Sequence, residues 1–317
     1  MKKNTGKKLI LIIMLALTLT TGCTKYLSDN DKKRITNEKT GQSLTSNILC
    51  KPEEKELTAI YEKYEKNMEV KLKDLPSCEK LKIYNKKTYN GLWVQLFVMP
   101  IAWLIIKLGL LVKNYGISVM LIGLALRIIL LPLSLKTAKQ SENMKKAQPE
   151  LEKLEKKYKD KTDSDSMMQK SQETMLIYKK YDINPVGGCL VSFIQLPLFF
   201  AFLEAINRVP AIFEENLWSL QLGTTPLVGI KSGNYLYLVL IGLIILTTFL
   251  SFKFSMATTG SSEQQKQMQF MTTFMLIFIS IASFSLPTAI ALYWVVTNGF
   301  SVIQSLIVKK GDNELWK

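Results

Sequence analysis

The stretch ISVMLIGLALRIILLPLSL, residues Ile117 to Leu135, decides how this chain is read: it places Arg127 inside an otherwise apolar run long enough to cross a bilayer. An arginine at the centre of a spanning helix costs roughly 2.5 to 3.5 kcal/mol on insertion scales, while each Leu, Ile or Val returns about 0.3 to 0.6. The run holds a dozen such aliphatic residues, so insertion wins. A charge kept at that depth usually lines a water-filled cavity, grips a substrate or pairs with an opposite charge.

The rest of the composition agrees with a membrane protein. The chain has 317 residues, a formal charge of +15 and 48% hydrophobic residues, and the apolar residues come in long blocks. There is no histidine, which removes Ser-His-Asp and Cys-His catalysis and every histidine-ligated metal. Four scattered cysteines make no zinc pattern, and the glycines from Gly223 to Ser232 lack the spacing of a phosphate loop before Lys231. Neither an enzyme nor a cofactor is expected.

Lys2, Lys3, Lys7 and Lys8 precede the apolar stretch Leu9 to Leu19, which ends at Thr21-Gly22-Cys23. This resembles a bacterial lipoprotein signal, with residues 1–22 removed and Cys23 lipidated; Thr20 departs from the usual aliphatic residue three before the cysteine. Residues 23–91 then read as a lysine-rich segment outside the cytoplasm. A helix is expected from Pro52 to Asp74, with an apolar stripe at Leu57, Tyr61, Tyr64, Met68 and Leu72. Cys50 and Cys78 flank it, and an oxidising exterior invites a bridge. A straight helix between them spans roughly 35 Å at about 1.5 Å per residue, so a bridge requires that helix to be broken.

Residues 92–317 form the core. Leu92 to Val112 is long enough to span, but a span there would put the twelve-lysine segment from Lys136 to Asn184 outside and the nearly lysine-free loop from Val209 to Asn234 inside. That reverses the positive-inside rule, so Leu92 to Val112 is read as an outer interfacial helix. Five spans remain: Ile117 to Leu135, Pro185 to Ile206, Tyr235 to Phe252, Gln267 to Phe284 and Pro287 to Val308. Asn184 and Pro185 suit a helix start, and Pro287 a tight turn. The C-terminus then lies in the cytoplasm.

Between the first two spans, Met144, Ala147, Leu151, Leu154 and Tyr158 recur at steps of three and four. That stripe predicts the first arm of an antiparallel helical hairpin, with a polar turn at Lys161 to Ser166, a second arm through Tyr181, and Pro149 kinking or restarting the first arm. None of the five spans carries Asp or Glu near mid-depth; Glu204 sits one turn from Arg208 near the outer end of the second. Uncharged groups that could face Arg127 are Ser192 and Gln195 on the second span, and Thr297, Asn298, Ser301, Gln304 and Ser305 beside Trp294 on the fifth. Ordinary interhelical hydrogen bonding is the bland reading of each, and a hydrated groove the sharper one.

The run from Tyr178 through Asn184-Pro185-Val186-Gly187-Gly188-Cys189-Leu190 to Ile194-Gln195-Leu196-Pro197 resembles the second-span signature of the YidC-type membrane protein insertases. Arg127 with Leu131-Pro132-Leu133, Gln148-Pro149-Glu150, and Leu292-Tyr293-Trp294 with Asn298 and Gln304 are similar too. Val191 stands where that family often has proline, and Pro287-Thr288-Ala289 replaces its usual Pro-Ala-Gly. The resemblance implies an all-α membrane protein in which five transmembrane helices enclose a hydrophilic groove, with a cytoplasmic hairpin and an outer interfacial helix. It implies an insertase and chaperone whose groove is lined by Arg127, Gln195 and Trp294. Its partners are nascent membrane proteins and the lipid bilayer, with the ribosome and the secretion channel as open candidates and no DNA. The alternative reading is a secondary transporter of a small anion held by Arg127. Against it stand the lack of a repeated half and of a second ionisable residue near mid-depth in the spans. Met167, Met168 and Met175 on the second hairpin arm are either packing or an adaptable surface for apolar clients.

Overall fold

The computed structural model describes residues 24–84, 91–161, 163–184, 187–255 and 262–314. The chain divides into two compact units: residues 1–125, 193–242 and 282–296, and residues 126–192, 243–281 and 297–317.

In the first unit, residues 24–84 build an irregular cap. Isolated antiparallel bridges join Tyr26 to Thr45, Ser28 to Arg34 and Thr36 to Ser43, and Leu27, Leu44, Ile48 and Leu49 are buried beneath them. The expected helix from Pro52 to Asp74 is corrected here: only α1 (Lys55–Lys63) is α-helical, followed by single turns at Glu65–Asn67 and Leu72–Asp74. Cys50 and Cys78 are disulfide-bonded, with their Cα atoms 4.8 Å apart. The broken helix is what lets the chain double back between them. Of the apolar stripe, Leu57, Tyr61 and Leu72 are buried.

Leu92 to Val112 is helical, with a π turn at Val94–Val98 leading into α2 (Met99–Val112), which ends on Lys113 in the left-handed conformation (φ 56°). The helix then reverses into α3 (Tyr115–Ile129). Gly109 makes this possible, since a Cβ there would lie 2.2 Å from the Tyr115 ring, and Ser118 Oγ donates to the Ile105 carbonyl at 2.6 Å.

The end of α6 (Gly187–Asn207) is the cap's seat. The Leu49 N–H donates to the Arg208 carbonyl at 2.7 Å, and Thr45 Oγ1 to the Asn207 carbonyl at 2.9 Å. Glu204 and Arg208 pair at 2.7 Å with side chains 4% and 1% exposed. Trp93 Nε1 donates to Glu204 at 2.9 Å, and Arg208 Nε to the Asn47 carbonyl at 2.6 Å. Next come α7 (Pro210–Glu214), a hairpin of β1 (Asn216–Leu217) and β2 (Leu220–Gln221), and α8 (Pro226–Lys231). That small two-stranded sheet is an addition to an otherwise mostly helical fold. Glu214 accepts from the N–H groups of Glu53 and Glu54 just ahead of α1 at 2.9 and 3.2 Å. Burial pushes its carboxyl above the usual value, while those two N–H groups pull it down.

The remaining helices are α9 (Leu236–Ser255), α10 (Ser262–Ala282) and α11 (Thr288–Glu314). The turn at Pro287 is present, and the first N–H groups of α11 find partners: Thr288 and Ala289 donate to the carbonyls of Thr224 and Leu222 at 3.1 and 2.9 Å.

The expected continuous helix from Ile117 to Leu135, within which the second unit begins, is corrected. It breaks at Leu130, and α4 (Leu131–Lys157) departs from α3 at 62°. Pro132 supplies the reason, having no N–H and a ring that clashes with the carbonyl four residues back. Pro149 does not start a new helix, because it lies inside α4. α5 (Ser164–Lys180) returns antiparallel, its N-terminus capped by Asp163, which accepts from the Ser166 N–H at 2.8 Å. The stripe holds: Ala147, Leu151, Leu154 and Tyr158 are buried, and Met144 is partly so, with Ile177, Tyr178 and Ile183 packed opposite. Met167, Met168 and Met175 are exposed.

Among the described residues three helices are long and apolar enough to cross a membrane: Val94–Val112, Leu236–Phe254 and Thr288–Val308, or four if the bent pair α3 and α4 is counted as one. The described apolar parts of α6 and α10, Pro197–Asn207 and Thr272–Ala282, are shorter.

Candidate functional site

Arg127 sits on the last turn of α3, three residues before the break at Leu130. The break turns the following helix so that its small polar residues reach the same space. A cavity of about 180 Å³ is lined by Arg127, by Ser134, Thr137, Ser141 and Glu142 of α4, and by Ser301, Gln304 and Ser305 of α11. Phe254 and Val308 complete its wall together with Ala138. The α4 residues recur at steps of three and four, which puts them on one helix face, and so do those of α11. Ser134 Oγ joins the two helices through Gln304 Oε1 at 3.2 Å. Arg127 is half-buried.

Polar side chains, carrying both signs of charge in Arg127 and Glu142, form part of a wall that is otherwise apolar. Glu142 is 23% exposed and pairs with Lys145 at 2.5 Å. The carboxylate therefore stands between the guanidinium's cavity and a lysine at the root of the hairpin. Counting acids within the spans alone missed Glu142, because it lies beyond Leu135 in what reads as a solvated arm. Thr137 and Ser141 escaped for the same reason, while Ser134 lies within the run as a single small polar residue; their spacing from Pro132 onward was the available signal.

The other expected groove residues fall as follows. Ser301 shares the cavity with Arg127. Thr297 is buried, and Asn298 Nδ2 donates to Thr248 Oγ1 of α9 at 2.9 Å. Trp294 packs edge-on to Phe199 with ring centres 5.6 Å apart, while Tyr293 stacks on Phe202 at 4.1 Å. The side chains of Ser192 and Gln195, and Cys23, lie outside the described residues. Among the described residues no cluster of His, Cys, Asp and Glu suits a metal ion.

The hairpin has its own electrostatics. Glu150 is held by Lys180 at 2.5 Å and by the Tyr181 hydroxyl at 2.8 Å. Glu173 is held in the same way by Lys157 at 2.7 Å and the Tyr158 hydroxyl at 2.8 Å. The lysines first, then the tyrosines, keep both carboxyls below the usual carboxylate value. Gln140 fixes the far end of the hairpin, donating to the Asp182 carbonyl at 3.2 Å and accepting from the Asn184 N–H at 2.7 Å.

Long apolar helices with a charged cavity and a polar helical hairpin define a membrane protein of the helical, multi-span class. Residues 106–314 match the family described as 60Kd inner membrane protein. A membrane protein insertase YidC of Oceanobacillus iheyensis is 38% identical over 226 residues, 70% of this chain and 85% of that protein. Membrane protein insertase YidC 2 of Bacillus anthracis is 36% identical over 221 residues, 69% and 82% of the two chains. Membrane protein insertase MisCA of Bacillus subtilis is 34% identical over 221 residues, 69% and 80%. The chain belongs to the YidC-type membrane protein insertase family.

Proposed function

We propose that this chain inserts newly made membrane proteins into the bacterial plasma membrane, and assists their folding there, through a hydrated cavity centred on Arg127. The observation that carries this reading is the cavity itself, where a guanidinium meets serine, threonine and glutamine side chains at the end of an apolar helix. The relatives' names support it as well. A client with a short polar tail must take that tail through hydrocarbon, where each polar group left without partners costs several kcal/mol. Hydroxyls and water part-way across lower that cost. Arg127 attracts acidic tail residues, which then move on as the apolar segment slides into lipid. No covalent bond is made or broken.

In this reading five helices span: α3 with the start of α4, then α6, α9, α10 and α11. Val94–Val112 lies at the outer surface, although it is long enough to cross. The lysine-rich hairpin is cytoplasmic under the positive-inside rule, the cap lies outside, and Cys23 carries a lipid. The sequence adds Ser192, Gln195, Trp294, Thr297 and Asn298 as groove-lining residues. The hairpin's exposed Met167, Met168 and Met175 offer clients, the ribosome or the secretion channel an adaptable surface.

The test is insertion into vesicles reconstituted with purified protein. Arg127→Ala impairs clients with acidic translocated tails, Arg127→Lys retains activity, and clients with neutral tails change little. Equal insertion of acidic tails by the wild type and the alanine variant would contradict the proposal.

A further inference from the structure

The β1–β2 hairpin has a two-residue turn, Trp218-Ser219. Trp218 sits at φ 53°, whereas Ser219 has no positive φ. Turns with only the first central residue in that region normally take glycine there, and a bulky side chain is strained in it. The indole is nonetheless 86% exposed. In water that combination costs twice, once in backbone strain and once in an exposed aromatic surface.

The tip is held rigidly beside a membrane-length helix. Leu217 and Leu220 are buried at the hairpin's base. Asn234 Nδ2 donates to the Ser219 carbonyl at 2.8 Å, and the Tyr237 hydroxyl accepts from the Gln221 N–H at 3.1 Å. Ser219, Tyr235, Leu236 and Val239 line one open cleft of about 590 Å³. Tyr235, Leu236 and Val239 are 69%, 48% and 57% exposed, and they begin the apolar face of Leu236–Phe254. Exposed apolar side chains thus stand both at the hairpin's tip, in Trp218, and on the outward face of a helix long enough to span. Ser232, Gly233 and Asn234 give the cleft a polar rim beside the exposed Lys231.

We infer that this hairpin is a membrane anchor: Trp218 seats in the headgroup-to-acyl boundary of the leaflet at the N-terminal end of α9. Tryptophan and tyrosine favour that layer because one end of each ring system is apolar and the other binds water or phosphate. Lipid contact there recovers the exposed area, and the left-handed turn aims the indole. The anchor fixes the depth of α9 and holds the loop that caps α11.

The test uses the full-length protein in vesicles of phosphatidylglycerol and phosphatidylethanolamine, with and without bromine on the acyl chains close to the ester. Subtracting the emission of Trp218→Gly, whose backbone suits the turn, leaves the Trp218 component; Trp218→Phe gives the same subtraction if the glycine variant fails to fold. That component should be blue-shifted from tryptophan in water, reduced about twofold by brominated lipid and insensitive to iodide. Emission at the aqueous position with iodide quenching overturns the inference. So does a blue-shifted component that bromine does not touch, which would mean that a protein covers the tip.

Discussion

Arg127 and Glu142 line one cavity, although the 62° bend between α3 and α4 separates them along the chain. The bend brings a hairpin carboxylate within the field of the guanidinium, and Lys145 draws it the other way at 2.5 Å. Under the proposed function, a client's acidic residue entering this space would compete with Glu142.

Neutralising that competitor strengthens the hold on anionic tails. Glu142→Gln should raise photo-crosslinking from position 301 to an acidic-tailed client about threefold, the equivalent of roughly 0.7 kcal/mol. A neutral tail should crosslink as before. An unchanged or lower yield with the acidic tail would show that Glu142 does not tune the cavity.

The buried pair of Glu204 and Arg208 anchors the cap. Glu204→Ala leaves Arg208 buried without its carboxylate and should destabilise the protein by about 3 to 5 kcal/mol in denaturant titrations in detergent. Replacing both, as Glu204→Met with Arg208→Leu, should restore most of that loss. A double variant as unstable as the single one would assign the loss to packing instead.

The Cys50–Cys78 bond closes a loop with a sequence separation of 28. In the chain-entropy account such a closure is worth about 3 to 4 kcal/mol. Changing both cysteines to serine should raise hydrogen exchange across residues 24–84 while leaving the α4–α5 hairpin protected. Unaltered exchange in the cap would mean that its packing alone holds it.

The hairpin should respond to acid in a defined direction. Glu150 and Glu173 have their carboxyls lowered by Lys180 with Tyr181 and by Lys157 with Tyr158. Their stabilisation is therefore complete above the ordinary value of 4.5 and is lost as pH falls through the lowered native values. Spin labels on the two arms should report a distance distribution that is constant from neutral pH down to that value and broadens below it. Broadening that starts near neutrality would point to other groups.

The hairpin was legible because its apolar residues keep a helical period over several turns, which only a paired helix satisfies. The cavity was half legible. Arg127 and Ser301 announce themselves as polar groups in apolar runs, but Glu142 and Ser141 look like any solvated helix surface until the break at Leu130 is known. Pro132 carried that information, hidden by the leucines and isoleucines on either side of it.

The cap was the least legible part. Its order comes from single bridges, one disulfide and the carbonyls of Asn207 and Arg208, none of which leaves a period in the sequence. The stripe from Leu57 to Leu72 matches a helix well, yet closing Cys50 on Cys78 overrides that propensity after Tyr64. Tertiary constraint decides there, as it does at Trp218.

The most direct measurement concerns the sign and wetness of the cavity. Ser301→Cys, in a Cys189→Ser background, is labelled in vesicles with small water-soluble thiosulfonates, one anionic and one cationic. Both should react, and Arg127→Gln should lower the ratio of the anionic to the cationic rate. No labelling at position 301, or a ratio indifferent to Arg127, would contradict a hydrated, electropositive cavity.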